Sequence, residues 1–241
     1  LRYVVIPARF GSQRLPGKPL RVLAGRPLIA WALQGASKSK LKEEVLVATD
    51  DERVLEVVEG MGFRAIMTDK GLQSGTERVY EAIKGTDATE IVNLQADEPF
   101  IQGEMIDVLF SELDRGHRFV TLARPLRDER EFLDPNAVKV VLRRDGAALY
   151  FSRSPIPYMR TKKVPAYIHI GIYGFSREGL ETFVGLKKGI LEEAESLEQL
   201  RILEGGLEIK VLLTEYEGFG IDTEGDLERA KALLEGDRWK G

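Results

Sequence analysis

Residues 4–20 read VVIPARFGSQRLPGKPL. Val4 to Ile6 form a short apolar strand pattern, and Pro7, with no N–H to give to a ladder, marks where the strand is expected to stop. Beyond it runs a loop punctuated by Gly11, Pro16, Gly17 and Pro19, in which a glycine can turn tightly or bring backbone close to a ligand. The loop carries Arg9, Arg14 and Lys18. Three cations on so short a stretch repel one another, and an anion seated among them would remove that repulsion. A polyphosphate cradle is the expected chemistry. It is neither a Walker loop nor a dinucleotide fingerprint, because neither Gly-x-x-x-x-Gly-Lys-Ser/Thr nor Gly-x-Gly-x-x-Gly occurs.

Outward from this loop, Val- and Ile-rich stretches at 3–7, 44–48, 64–67 and 90–94 alternate with helical patterns at about 27–38, 51–60 and 75–84. Such alternation predicts right-handed crossovers and an α/β fold: a mostly parallel central sheet with helices on both faces. Ligands in such sheets gather at the carboxyl ends of the strands. The basic loop lies at one such end, and Gln95-Ala96-Asp97 lies at another.

From about residue 117 the rhythm changes. Strand-type runs at 119–124, 137–142, 148–151 and 166–174 predict a smaller mixed β-rich lobe at about 117–175 within one α/β domain spanning residues 1–241. Ser152 to Lys163, basic and twice interrupted by proline, reads as an exposed loop. Helical patterns return at about 176–204, a last strand is expected at 208–213 and a closing helix at 223–234.

At 241 residues the chain is long enough for a substantial core. Its net charge of −4 argues against nucleic acid as a partner. No apolar run approaches the ~20 residues that span a bilayer, and no export signal is visible, so a cytoplasmic protein away from membranes is expected. There is no cysteine, which excludes disulfides, thiolate catalysis and Cys-ligated metals and is compatible with a reducing compartment.

Two acidic segments could complement the basic loop. In 93–99, NLQADEP, a carboxylate leaves a buried strand end, where it can hold Mg²⁺ against phosphate oxygens or simply cap a helix. In 220–226, GIDTEGD, Asp222 or Thr223 would ordinarily be a cap. Opposite three cations, the two acidic strand ends would make a divalent-metal triphosphate site. Ser74-Gly75-Thr76-Glu77-Arg78 opens a helix and suits either a base or ribose contact or plain capping, and Asp50 and Asp51 read mainly as a cap for the helix at 51–60. His169 sits on a strand with Tyr173 four residues on and hence on the same face.

Taken in order, the opening loop, ATDD (48–51), SGTERV (74–79), NLQADEPF (93–100), HIGIYGF (169–175), SLEQLRILEGG (196–206) and GIDTEGDL (220–227) resemble the 3-deoxy-manno-octulosonate cytidylyltransferases, or CMP-Kdo synthetases. The likeness covers nearly the whole chain. The first motif alone indicates only sugar-activating nucleotidyltransferases; HIGIYGF and SLEQLR narrow it.

The resemblance implies a Rossmann-like, nucleotide-diphospho-sugar-transferase fold and a Mg²⁺-requiring reaction, CTP plus the sugar acid Kdo giving CMP-Kdo and pyrophosphate, for lipopolysaccharide synthesis. It implies that Arg9, Arg14 and Lys18 hold the triphosphate and that Asp97 and Asp222 bind Mg²⁺. Pro7, Ala8, Ser74 and Arg78, with Arg9 and Lys18, would take the nucleotide. Gln95, Arg153, His169, Tyr173, Glu198 and Gln199 would take Kdo, a cation and the imidazole being suited to its carboxylate. It also implies a homodimer paired through the β-rich lobe, with Tyr167 and Ile168 at a two-fold interface. The family often has Asp where Glu77 stands, so Glu77 receives no role. Another CMP-sugar synthetase, such as one for sialic acid, shares part of this pattern; so does a non-catalytic CTP-binding regulator, although it would have no use for two metal carboxylates.

Overall fold

The computed structural model describes residues 1–11 and 14–235; Ser12 and Gln13 of the opening loop and residues 236–241 lie outside the description. The chain divides into two compact units, Leu1–Ser111 together with the stretch from Gly218 onward, and Glu112–Glu217. The lobe expected at about 117–175 falls inside the second.

The first unit runs β1 (Arg2–Ala8), a 3-10 turn (Lys18–Leu20), the short hairpin β2 (Val22–Leu23) and β3 (Arg26–Pro27), α1 (Leu28–Ser37), β4 (Glu44–Thr49), α2 (Glu52–Gly60), β5 (Arg64–Met67), α3 (Gly75–Ile83), β6 (Glu90–Leu94) and all but the last two residues of α4 (Gly103–Leu113). The second holds β7 (Phe119–Pro125), α5 (Glu129–Leu133), β8 (Lys139–Leu142), β9 (Ala148–Ser152), β10 (Tyr167–Ser176), α6 (Arg177–Gly185), α7 (Ile190–Glu195), α8 (Leu200–Glu204) and β11 (Lys210–Leu213). The chain then returns to the first unit for α9 (Glu224–Glu235).

In the first unit the strand order is β6-β1-β4-β5, every pair parallel. Val4, Val5 and Ile6 of β1, Leu46 and Val47 of β4, and Ile91 and Val92 of β6 are fully buried. Neighbouring strand residues point to opposite faces, so unbroken burial means that both faces of the sheet are covered. This is the α/β architecture that the alternation predicts.

β1 does not stop at Pro7. It continues to Ala8, with Pro7 opposite Ala48 and Ala8 opposite Thr49 of β4, whereas its pairing with β6 ends at Val5. Beyond Val5 the strand has one ladder neighbour, and a residue without an N–H is tolerated on such an edge.

α4, between β6 and the second unit, is an addition to the expected elements. It buries Ile106, Leu109, Phe110 and Leu113, and its Asp107 carboxylate accepts the Lys40 and Leu41 N–H groups and the Ser39 hydroxyl. Burial works against that charge, but these donors together hold the Asp107 pKa below its usual value. At the start of α4, a Cβ on Gly103 would lie 2.3 Å from the backbone carbon of Lys38. Only glycine lets α4 approach the end of α1 so closely.

The second unit is a mixed sheet: β7 pairs antiparallel with β10 and parallel with β11, while β8 joins β10 to β9. The helical stretch expected at 176–204 is three helices. Leu186 and Gly189 are extended, and Ser196 is left-handed at φ 51°. α7 and α8 are clamped by a buried pair in which Arg201 Nε and Nη2 donate to Glu192 at 2.7 and 2.6 Å. No described helix is long and apolar enough to cross a membrane.

Candidate active site

Three chain segments of the first unit build a charged cluster. Gly17, left-handed at φ 65°, begins the 3-10 turn, and Leu20 and Arg21 donate back to the Gly17 and Lys18 carbonyls. That turn fixes the start of the Lys18 side chain. Its ammonium donates to Asp97 Oδ2 at 2.6 Å and to Asp222 Oδ1 at 2.8 Å. Arg14 adds a contact to Asp222 at 3.2 Å from the more exposed side.

The two carboxylates are held together by backbone as well, because Ile221 N–H donates to the Asp97 carbonyl at 2.8 Å. Thr223 and Asp226 exchange the capping bonds at the start of α9: Asp226 N–H donates to Thr223 Oγ1, and Thr223 N–H to Asp226 Oδ2. Asp222 is therefore not spent as the cap, and its carboxylate is turned to Lys18. Burial pulls the Lys18 pKa down, but the attraction of Asp97 and Asp222 outweighs it and holds the ammonium above its usual pKa.

Arg9 is placed differently from the other two loop cations. Its guanidinium is exposed and its Nε donates to the Gly11 carbonyl of its own loop at 2.6 Å. Arg78 is 1% exposed and donates to Asp50 Oδ2 at 3.2 Å, to Thr68 Oγ1 and to the Asp69 carbonyl. Burial lowers its pKa and Asp50 opposes that shift. Asp50 in turn accepts the Phe10 N–H at 3.0 Å, so a buried ion pair anchors the first turn of the basic loop. Asp51, not Asp50, caps α2 through Arg53 N–H.

Ser74 caps α3 by accepting Glu77 N–H at 3.1 Å, and Glu77 accepts Gln73 N–H in return. Behind it, a Cβ on Gly75 would touch the Gln95 side-chain amide and the Pro7 ring, so these nucleotide and sugar candidates converge. Gln95 Nε2 donates to Asn93 Oδ1 at 2.8 Å, and Asn93 Nδ2 to Thr76 Oγ1 at 3.1 Å. Asn93, fully buried, orients the Gln95 amide. Ala8, also buried, accepts the Thr49 hydroxyl at its carbonyl.

The remaining candidates belong to the second unit. His169 packs edge-to-face against Phe151 and tilted against Tyr173, with ring centroids 5.0 and 5.3 Å away, and its Nε2 lies 2.9 Å from Thr121 Oγ1. Burial pulls the His169 pKa down to about 3, so the ring is neutral at ordinary pH. Arg153 is committed to backbone: its guanidinium donates to the carbonyls of Glu195, Pro135 and Ser196. Gln199 is 3% exposed, and its Nε2 is buried without a hydrogen-bond partner. Glu198 precedes it and accepts the Arg201 N–H at its carbonyl.

Among the described residues no group of three or more His, Asp or Glu stands together as a metal site. Asp97 and Asp222 are instead a two-carboxylate donor set within reach of one cation, as the Lys18 ammonium demonstrates. Three supporting residues escape sequence reasoning. Asn93 and Asp50 sit inside motifs that carry the resemblance, but there only their partners, Gln95 and Arg78, stand out as ligand contacts. Thr121 carries no signal.

The family described as cytidylyltransferase matches residues 3–209. The 3-deoxy-manno-octulosonate cytidylyltransferase of Thermodesulfovibrio yellowstonii is 49% identical over 246 residues, covering 95% of this chain and 96% of that protein. Its counterpart from Anaeromyxobacter dehalogenans strain 2CP-C is 49% identical over 235 residues, 96% of either chain. Among solved structures, a CMP:2-keto-3-deoxy-manno-octonic acid synthetase complexed with CTP superposes with a TM-score of 0.91 at 40% identity, covering 97% of this chain and 98% of that one. A 4-diphosphocytidyl-2C-methyl-D-erythritol synthase from Anaerococcus prevotii shares the fold alone, with a TM-score of 0.66 at 16% identity.

Proposed function

Because the chain belongs to the cytidylyltransferase family, among the 3-deoxy-manno-octulosonate cytidylyltransferases, we propose that it joins the CMP moiety of CTP to Kdo and releases pyrophosphate. The observation that carries this reading is the Lys18 ammonium seated between Asp97 and Asp222, with Arg14 beside it. A fold-matched cytidylyltransferase needs cations for a triphosphate and carboxylates for a metal, and here both stand in one cluster.

In the proposed reaction the anomeric hydroxyl oxygen of the sugar bonds to the α-phosphorus, the bond from that phosphorus to the bridging oxygen breaks, and pyrophosphate leaves with the electron pair. Chemistry of this kind needs positioning and neutralisation of charge more than covalent help. Lys18, Arg14 and Arg9 donate to phosphate oxygens and stabilise the departing pyrophosphate. Pro7, Ala8, Ser74 and the loop anchored by Arg78 present the nucleotide. Gln95, Arg153, His169, Tyr173, Glu198 and Gln199 are assigned to the sugar acid, Arg153 chiefly through the backbone that it holds.

Mg²⁺ is the proposed cofactor. Hard cations favour a few carboxylates completed by phosphate and water, which suits Asp97 and Asp222; when bound, the ion supplies Lewis-acid polarisation of the phosphate. A cytoplasmic location in lipopolysaccharide synthesis completes the reading, and the absence of cysteine is compatible with it.

Pyrophosphate release tests the activity. Robust turnover is expected with CTP, Mg²⁺ and Kdo, at least ~10²-fold lower kcat/KM with sialic acid, and none with a chelator until Mg²⁺ is restored. Turnover with sialic acid alone would replace the substrate assignment.

The proposed homodimer uses the second unit. Leu149, Val164 and Leu213 are 58%, 43% and 52% exposed and line one groove of about 760 Å³ with Tyr167. A second copy would cover them. Ile168, at 4% exposure, is already buried within the chain itself. Sedimentation at twice the mass of the chain is expected; a single-chain mass at micromolar concentration would remove the dimer.

A further inference from the structure

β10 carries an irregularity that shapes the surroundings of His169. His169 and Ile170 stand opposite Ala123 and Leu122 of β7, but the next pairing is Tyr173 opposite Thr121, so Gly171 and Ile172 have no opposite number. In a regular strand, side chains four residues apart are about 13 Å apart. The bulge shortens that span until the His169 and Tyr173 rings touch at 5.3 Å.

Thr121, fully buried, holds the bulge from beneath. Its Oγ1 lies 2.7 Å from the Ile172 carbonyl oxygen and 2.9 Å from His169 Nε2. A hydroxyl has one proton. At 2.7 Å from a carbonyl oxygen that proton must point to the carbonyl, since two oxygen lone pairs would otherwise face each other. Thr121 Oγ1 can then only accept from the ring, so Nε2 bears the hydrogen. In the neutral imidazole the lone pair is left on Nδ1. That atom has no hydrogen-bond partner among the described residues, and it is not sealed as Arg118 Nε and Gln199 Nε2 are.

We infer that Thr121 is a positioning residue for substrate recognition: it fixes His169 in the Nε2–H form, so that Nδ1 accepts a hydrogen bond from a hydroxyl of the polyhydroxylated sugar acid and not from its carboxylate side. This rests on the activity proposed above and alters the part that the resemblance implies for the imidazole. A carboxylate oxygen has no proton to offer, and a lone pair facing it is repelled. Burial keeps the ring neutral, which removes the alternative of a doubly protonated donor. His169 thereby sorts hydroxyl pattern, and the acid group of the sugar is left to donors elsewhere.

The test is ring nitrogen NMR together with Thr121→Val and Thr121→Ser. The chain has two histidines, and a His117→Gln variant assigns the signals. The unaltered protein is expected to show the Nε2–H tautomer. Thr121→Val should lose it and raise KM for Kdo about tenfold, the worth of one hydrogen bond, with KM for CTP unchanged; Thr121→Ser should restore both. An Nδ1–H ring in active enzyme, or Thr121→Val with tautomer and sugar KM unchanged, overturns the inference. If Thr121→Val does not fold, the spectrum of the unaltered protein and the serine variant decide. Failure of the unaltered enzyme to turn over Kdo would defeat the proposed activity, a result separable from the spectrum, which needs no substrate.

Discussion

Asp97→Asn is expected to reduce kcat with CTP and Kdo by ~10³-fold or more, equivalent to about 4 kcal/mol of transition-state stabilisation, while CTP still binds measurably by calorimetry. The amide keeps the size of the side chain and removes its charge. In the free protein Lys18 then keeps the Asp222 carboxylate at 2.8 Å and can still donate to the amide oxygen at 97, so the fold loses little. In the proposed reaction one of two metal carboxylates is gone, and the loss falls on the chemical step. Asp222→Asn should behave in the same way, though Asp222 is the more exposed of the two, at 38% against 27% for the side chain. Undiminished turnover in Asp97→Asn would refute its assignment to the metal.

Arg78→Met is expected to cost about 3–5 kcal/mol of folding stability, the usual penalty for breaking a buried ion pair from one side, read as a lower urea midpoint with an unchanged slope. The reason lies in what remains. Asp50 is 8% exposed, and without the guanidinium its carboxylate is buried with Phe10 N–H as its one hydrogen-bond donor among the described residues. The double variant Arg78→Met with Asp50→Asn should recover at least ~1 kcal/mol of that loss, because the uncompensated charge is gone. KM for CTP should rise in the single variant, since Asp50 holds the first turn of the basic loop. If Arg78→Met were as stable as the unaltered protein and only nucleotide binding changed, Arg78 would be a ligand contact and not an anchor.

How far each feature is legible in the sequence depends on how local its cause is. The strands at 3–7, 44–48, 64–67 and 90–94 coincide within a residue or two with β1, β4, β5 and β6; for β1, β4 and β6 the apolar runs report burial on both faces of a parallel sheet, whereas β5, RAIM, is exposed at both ends. α4 has a cause just as local: Met105, Ile106, Leu109, Phe110 and Leu113 have helical spacing, although the stretch carries no motif of its own. The break of 176–204 into three helices is less legible, since it rests partly on Ser196 in a left-handed conformation that side-chain patterning does not announce.

For the site, the three cations and two acidic segments are visible as motifs. What each cation does in the free protein is not. Arg78 and Asp50 are separated by 28 residues and Lys18 and Asp222 by 204, and only the fold brings such pairs together. The two unpaired residues of β10 are invisible for the same reason: register is a property of two strands, and Gly171-Ile172 look ordinary in one.

As a string of residues, the opening loop awaits an anion from outside. In the folded chain Lys18 already has two, Asp97 and Asp222, and Arg14 shares the second. In the proposed reaction an incoming triphosphate would therefore not meet bare cations; it would compete with carboxylates for them. Drawing Lys18 away with nothing in return would leave two aspartates facing the phosphates they had just lost their partner to. Under the proposed activity the cluster would resist metal-free nucleotide and other loose polyanions, and selectivity would begin with the exchange of partners, before any base or sugar is read.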